Sequence, residues 1–169
     1  VHQYSPTLSA VVLPAFSNTD GGYTFADTNN GGSWRACKPK QEMSTFSGRN
    51  TVCNGNLVEL ARMARVWRDQ NNVSMSGMLI DTLAYQFIDG WQYKDKSYVY
   101  YDWMTRDFFA FLAGKDAGKS YWTAPGSGSW VYGSGFQYTA LQVELRTIEA
   151  IDNQQHNYDY SAKQIYRGI

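Results

Sequence analysis

Histidine is almost missing from this chain of 169 residues: His2 and His156 are the only two, each in a polar stretch near one end. That argues against a Ser-His-Asp or Cys-His site, which needs a base beside its nucleophile, and against zinc. Cysteine is equally scarce. Cys37 and Cys53 lack metal-ligand spacing and read as two reduced thiols of a cytoplasmic protein. Excess charge of either sign is lacking too. Fifteen Lys and Arg balance fifteen Asp and Glu, which gives no argument for a long nucleic acid or a membrane surface as partner. No apolar run approaches the ~18 residues of a membrane span. No Asp-x-Asp pair occurs, and two-metal chemistry needs two or three acids held together. Asp102 and Asp107 fall on one helix candidate among packing aromatics and read as its solvated face. The stretch from Ala124 to Ser129 (APGSGS) lacks the Gly-Lys-Ser/Thr ending of a phosphate-binding loop.

What is present is organised around residues 54–69 (NGNLVELARMARVWRD). Leu57, Leu60, Ala61, Ala64 and Trp67 recur at the spacing of one buried helical face. Asn54 or Asn56 is the expected N-cap. Arg62, Arg65 and Arg68 form a second stripe, read either as solvated charges or as guanidinium groups offered to an anion. Between Arg35 and Arg68 seven bases face only Glu42 and Glu59, a local surplus that suits a compact anion such as a triphosphate.

Aromatic residues make up 16% of the chain and concentrate after Trp91, where the acids among them favour core packing over base stacking. Leu8 to Phe16 (LSAVVLPAF) reads as a strand ended by Pro14, Ser17 to Gly22 as a turn, and Tyr23 to Phe25 as a short returning strand. Asp27 to Ser33 (DTNNGGS) reads as a glycine-containing loop closed by Trp34. Helices are expected from Pro39 to Ser47, from the organising stretch to Gln70, and from Ser76 to Ile88. Further helices are expected from Tyr100 to Leu112, Tyr138 to Asp152 and Tyr158 to Ile169. In the third of these Met78, Leu79, Leu83 and Phe87 lie along one side, and Asp81 is the single charge, expected to cap or to hydrogen-bond. Residues 113–135 read as a long loop. The fold class is therefore α+β, mostly α: a short N-terminal β element followed by a bundle of about five helices.

The order VVLPAF, GGYTFADTNNGGSW, KPKQE, NGNLVELARMARVW and SGMLIDTLAY resembles the second half of bacterial cyclic-oligonucleotide synthases. These are nucleotidyltransferases of antiphage signalling, related to oligoadenylate synthase and cyclic GMP-AMP synthase. YYDWMTRDFFAFL, SYWTAPGSGS and YSAKQIYR resemble the same family, so the likeness covers roughly Leu8 to Arg167. It implies that residues 1–34 are the remnant of a nucleotidyltransferase core and residues 35–169 a helical domain. A complete family enzyme uses magnesium with ATP or GTP, held by acids on the core. At the third acid's position, three residues before Pro14, stands Val11, which cannot ligate a hard cation. The resemblance therefore implies no metal or cofactor, and no catalytic residue, in this chain alone.

By the same resemblance Arg65, and beside it Arg62, would meet a donor triphosphate. Gly77 and Met78 stand where relatives carry a Ser-Tyr pair for phosphates and base. Asn30 and Trp34 lie in a loop bordering the nucleotide pocket. The chain starts at Val rather than Met, and it is expected to be a fragment or one part of a split protein that needs a missing N-terminal half. A stand-alone sensor or decoy for a nucleotide or cyclic oligonucleotide, and a pure protein-interaction domain, stay open beside that reading.

Overall fold

A computed structural model describes residues 2–5, 8–10, 12–28, 31–156 and 159–167. It is α+β and mostly helical, with six helices and short strands among these residues. The strands β1 (His2–Ser5) and β2 (Leu8–Ala10) pair antiparallel. Strands β3 (Ala15–Ser17), β4 (Tyr23–Asp27) and β5 (Ser33–Cys37) form a three-stranded antiparallel meander. The expected single strand from Leu8 to Phe16 is thus two strands in two sheets, with Pro14 between them, because proline cannot donate to a ladder. The expected loop from Asp27 to Ser33 joins β4 to β5, with Asp27 opposite Ser33; Trp34 follows within β5, opposite Ala26, and the sheet runs on to Cys37.

The β3–β4 turn needs Gly21 at φ 77°, and Gly22 N donates to Asp20 Oδ1 at 3.0 Å. Lys38 answers that carboxylate at 2.9 Å and holds it below its usual pKa. No helix packs broadly on this meander. Its apolar side chains are consequently open: Phe16 and Trp34 meet at 5.8 Å on one face and both are exposed.

Helix α1 (Pro39–Val52) starts on a proline at its first turn, and α2 (Asn56–Gln70) follows after a sharp reversal. Asn54 at φ 52° and Gly55 at φ 84° make that reversal. Neither Asn54 nor Asn56 is the N-cap: Gly55 holds that position without a side-chain bond. Asn50 of α1 takes over the role, its Oδ1 accepting from Val58 N at 3.0 Å. Asn56 is buried for another purpose. Its Nδ2 donates to the carbonyls of Lys94 and Lys96, pinning that turn to the head of α2.

Helix α3 (Gly77–Gly90) is capped by Ser76, which accepts from Leu79 N. A 3-10 turn (Tyr98–Tyr100) leads into α4 (Tyr101–Ala113). The expected long loop then contains a hairpin, β6 (Tyr121–Thr123) and β7 (Trp130–Tyr132), before α5 (Gln137–Gln155) and α6 (Asp159–Arg167).

The core lies among α2, α3, α4, α5 and the hairpin. All five residues of the organising face are buried, as are Leu79, Ile80, Leu83 and Phe87 of α3, but Met78 is not; it is 38% exposed. Leu145 and Ile148 of α5 are also exposed. Trp91, Phe108, Phe109 and Trp122 pack inside, as their sequence context suggests. Asp107 is more than a solvated acid, since its Oδ2 accepts from Trp91 Nε1 at 3.0 Å.

Cys53 is fully buried, and burial pushes its thiol pKa up, whereas Cys37 is half-buried. A thiol-specific reagent at neutral pH should therefore label one cysteine of the native protein and the second only on unfolding. Two equally fast reactions would contradict this packing.

Candidate nucleotide cleft

Helix α1 has no fully buried residue along its length. Its apolar residues Pro39, Met43 and Phe46 share one side, where Phe46 packs partly against the core, and a cleft of about 460 Å³ remains between α1 and helices α2 and α3. Positions 42, 46 and 50 recur every four residues and share one face of α1. Glu42, Phe46 and Asn50 line the cleft with Pro39, Met43 and Ser47. Val58 of α2 and Met78 and Asp81 of α3 form the opposite side, and Pro125 the end. The size suits a small ligand, and the surface is mostly apolar with a few polar groups.

The turn between β6 and β7, within the stretch expected to be a long loop, supplies that end wall. Ala124 N donates to Ser129 O and Gly128 N to Ala124 O, which folds residues 124–129 back on themselves. Ser127 Oγ donates to Glu42 Oε1 at 2.5 Å and itself accepts from Ser129 N. Two aromatic triplets, YWT and WVY, on either side of a glycine-serine turn are a hairpin pattern, and that was the available signal.

Arg65 borders the cleft through Asp81. Its Nη2 donates to Asp81 Oδ1 at 2.6 Å and its Nη1 to Ala61 O at 3.1 Å. Gly77 begins α3 directly beside it: a Cβ there would lie 3.7 Å from the guanidinium. The structure therefore brings Arg65, Gly77 and Met78 together. It leaves Arg62 apart, exposed and paired with Glu59 at 2.6 Å. Trp34 is on the meander and does not line the cleft. Asn30 and Val11 lie outside the described residues.

Most of the local basic surplus is paired in three dimensions, Lys40 lying over the Tyr23 ring instead of against an acid. Arg35 meets Asp27, Lys38 meets Asp20, Arg49 meets Asp89, and Arg68 meets Asp69. Arg68 holds the Asp69 carboxyl below its ordinary pKa by hydrogen bonding, and it also donates to Met75 O. A second hollow, wider and polar, is lined by Arg68, Ser74, Ser76, Ser120 and Tyr132. Among the described residues no three His, Cys, Asp or Glu side chains lie together, and Asp81 is paired with Arg65. No family model, curated protein or solved structure matches this chain.

Gly126 holds φ 85°, and a Cβ on it would stand 2.5 Å from Thr45 Oγ1 and 2.7 Å from Gln41 O. Gly126→Ala should therefore destabilise the protein by about 1–3 kcal/mol in urea unfolding, through overpacking added to backbone strain. Gly128→Ala, at φ 71° with nothing within 4 Å, should lose only the strain, about 1 kcal/mol. Equal losses would mean that the turn does not press on α1.

Proposed function

We propose that this chain forms the helical wall of a nucleotide cleft, as the second half of a cyclic-oligonucleotide second-messenger synthase of antiphage defence. The observation that carries this reading is the convergence of Arg65, Gly77 and Met78 on the edge of the cleft between α1 and α3. A nucleoside triphosphate would lay its base in the cleft against Met78 and direct its phosphates to Arg65. Two of the guanidinium's five donors are used, by Ala61 O and Asp81, and the others are available to phosphate oxygens. The absence of a side chain at Gly77 keeps that approach open.

In this reading the nucleotidyl-transfer chemistry belongs to the complete enzyme. Magnesium, if held there by acids of a nucleotidyltransferase core, would supply charge neutralisation at the phosphates. The residues of this chain bind and orient. Arg65 fixes the phosphate end, and the apolar walls exclude water from the base. A second reading, a non-catalytic sensor or decoy for a nucleotide or cyclic oligonucleotide, rests on Val11 in place of the third acid. Both use the same cleft, and the protein is proposed to act in the cytoplasm.

Calorimetric titration with ATP and GTP tests the cleft. A charge-assisted hydrogen bond is worth about 1.5–3 kcal/mol, so Arg65→Ala should weaken triphosphate binding by about ten- to a hundredfold. Arg62→Ala, altering an exposed side chain already paired with Glu59, should change it less than about threefold. Equal effects, or none, would remove Arg65 from the site. Binding with magnesium withheld would favour the sensor.

A further inference from the structure

The two carboxylates of the cleft are not equivalent. Asp81 is neutralised by Arg65, but Glu42 meets no base in any ion pair among the described residues. Its one partner is the Ser127 hydroxyl, which fills one acceptor site of about four on a carboxylate. A charge against apolar walls is costly unless donors reach it. The fold also spends structure on aiming this group. Ser129 N donates to Ser127 Oγ, whose own hydroxyl donates to Glu42 Oε1, so the hairpin turn holds Glu42 in one position. Ser127 is thus a positioning residue.

We infer that the cleft is specific for guanine. The flat ring would lie between Met43 and Phe46 of α1 and Met78 of α3. Its neighbouring N1–H and N2–H groups would donate side by side to the two oxygens of Glu42, the fork geometry by which a carboxylate takes paired donors. Among the common nucleobases guanine alone offers two adjacent N–H donors on its pairing edge. Adenine offers one donor beside a ring acceptor, and that acceptor's lone pair would face a carboxylate oxygen. A site built to satisfy such a pair rejects the base that lacks it, because a polar group is left unmatched. An apolar amidine shares the same donor chemistry and is the competing source of a ligand.

The inference rests on the nucleotide-cleft reading for the phosphates, but the base can be tested without them. Guanosine, inosine, adenosine and benzamidine would be titrated into the native protein, Glu42→Gln and Ser127→Ala, alongside GTP and ATP. Guanosine should bind about ten- to a hundredfold more tightly than adenosine, with inosine, which lacks the 2-amino group, between them. Glu42→Gln keeps an acceptor for Ser127 while removing the charge and the second acceptor, and should collapse that gap. Ser127→Ala should narrow it, with the thermal melting point showing each variant folded. Equal binding of the two nucleosides, or a guanosine preference that survives Glu42→Gln, overturns the assignment. Benzamidine binding without guanosine binding overturns it as well. Triphosphates that bind through Arg65 regardless of base would sink the guanine inference and leave the nucleotide cleft standing. If neither nucleosides nor triphosphates bind, both fail.

Discussion

The ion pair between Arg65 and Asp81 joins α2 to α3 at the edge of the cleft, and the properties of the site depend on it. Both side chains are partly exposed, so the pair contributes no more than about 1 kcal/mol to stability. Its larger effect is electrostatic. A phosphate arriving at Arg65 must share the guanidinium with a carboxylate, which lowers the gain from charge. Glu42 adds a further negative charge on the opposite wall. In the proposed complex the cleft would therefore discriminate through the base more than it would attract through the phosphates.

The cleft exists because one helix packs poorly. Helix α2 buries five apolar residues on one face and α3 buries a comparable face, so these two are fixed against the core. Helix α1 buries no residue fully: Phe46 packs partly against the core, Asn50 caps α2, and Arg49 reaches Asp89 and lies over the Tyr85 ring. The 124–129 turn then leans on α1 near Gln41 and Thr45. The short apolar side of α1, Pro39, Met43 and Phe46, is left lining the space with Met78, and the flexible thioether chains of the two methionines suit a flat ring.

Periodicity carried the helices and the buried face of α2 because core burial follows it directly. Met78 escaped, since its neighbours Leu79 and Ile80 fill the core and the first turn of α3 lies at the surface. Leu145 and Ile148 are likewise at the surface, as α5 buries Ala140, Val143 and Thr147 instead. The N-cap was misplaced because a reversal built from two left-handed residues leaves capping to a side chain six positions upstream of α2. The pairing of charge was not legible. Of the seven bases close in sequence, four meet Asp20, Asp27, Asp81 and Asp89, which lie outside that segment. Glu42 carries no reading of its own in the sequence, and only the fold shows it facing a serine.

Methionine methyl resonances give the most direct test, because the chain has five methionines and they sit in different places. Met43 and Met78 line the cleft, Met75 lines the polar hollow beside Arg68, and Met104 is buried in the core. On titration with GTP the account predicts that Met43 and Met78 shift together and saturate at one concentration, while Met104 stays in place. A shift at Met75 with Met43 and Met78 silent would move the ligand to the other hollow and contradict it.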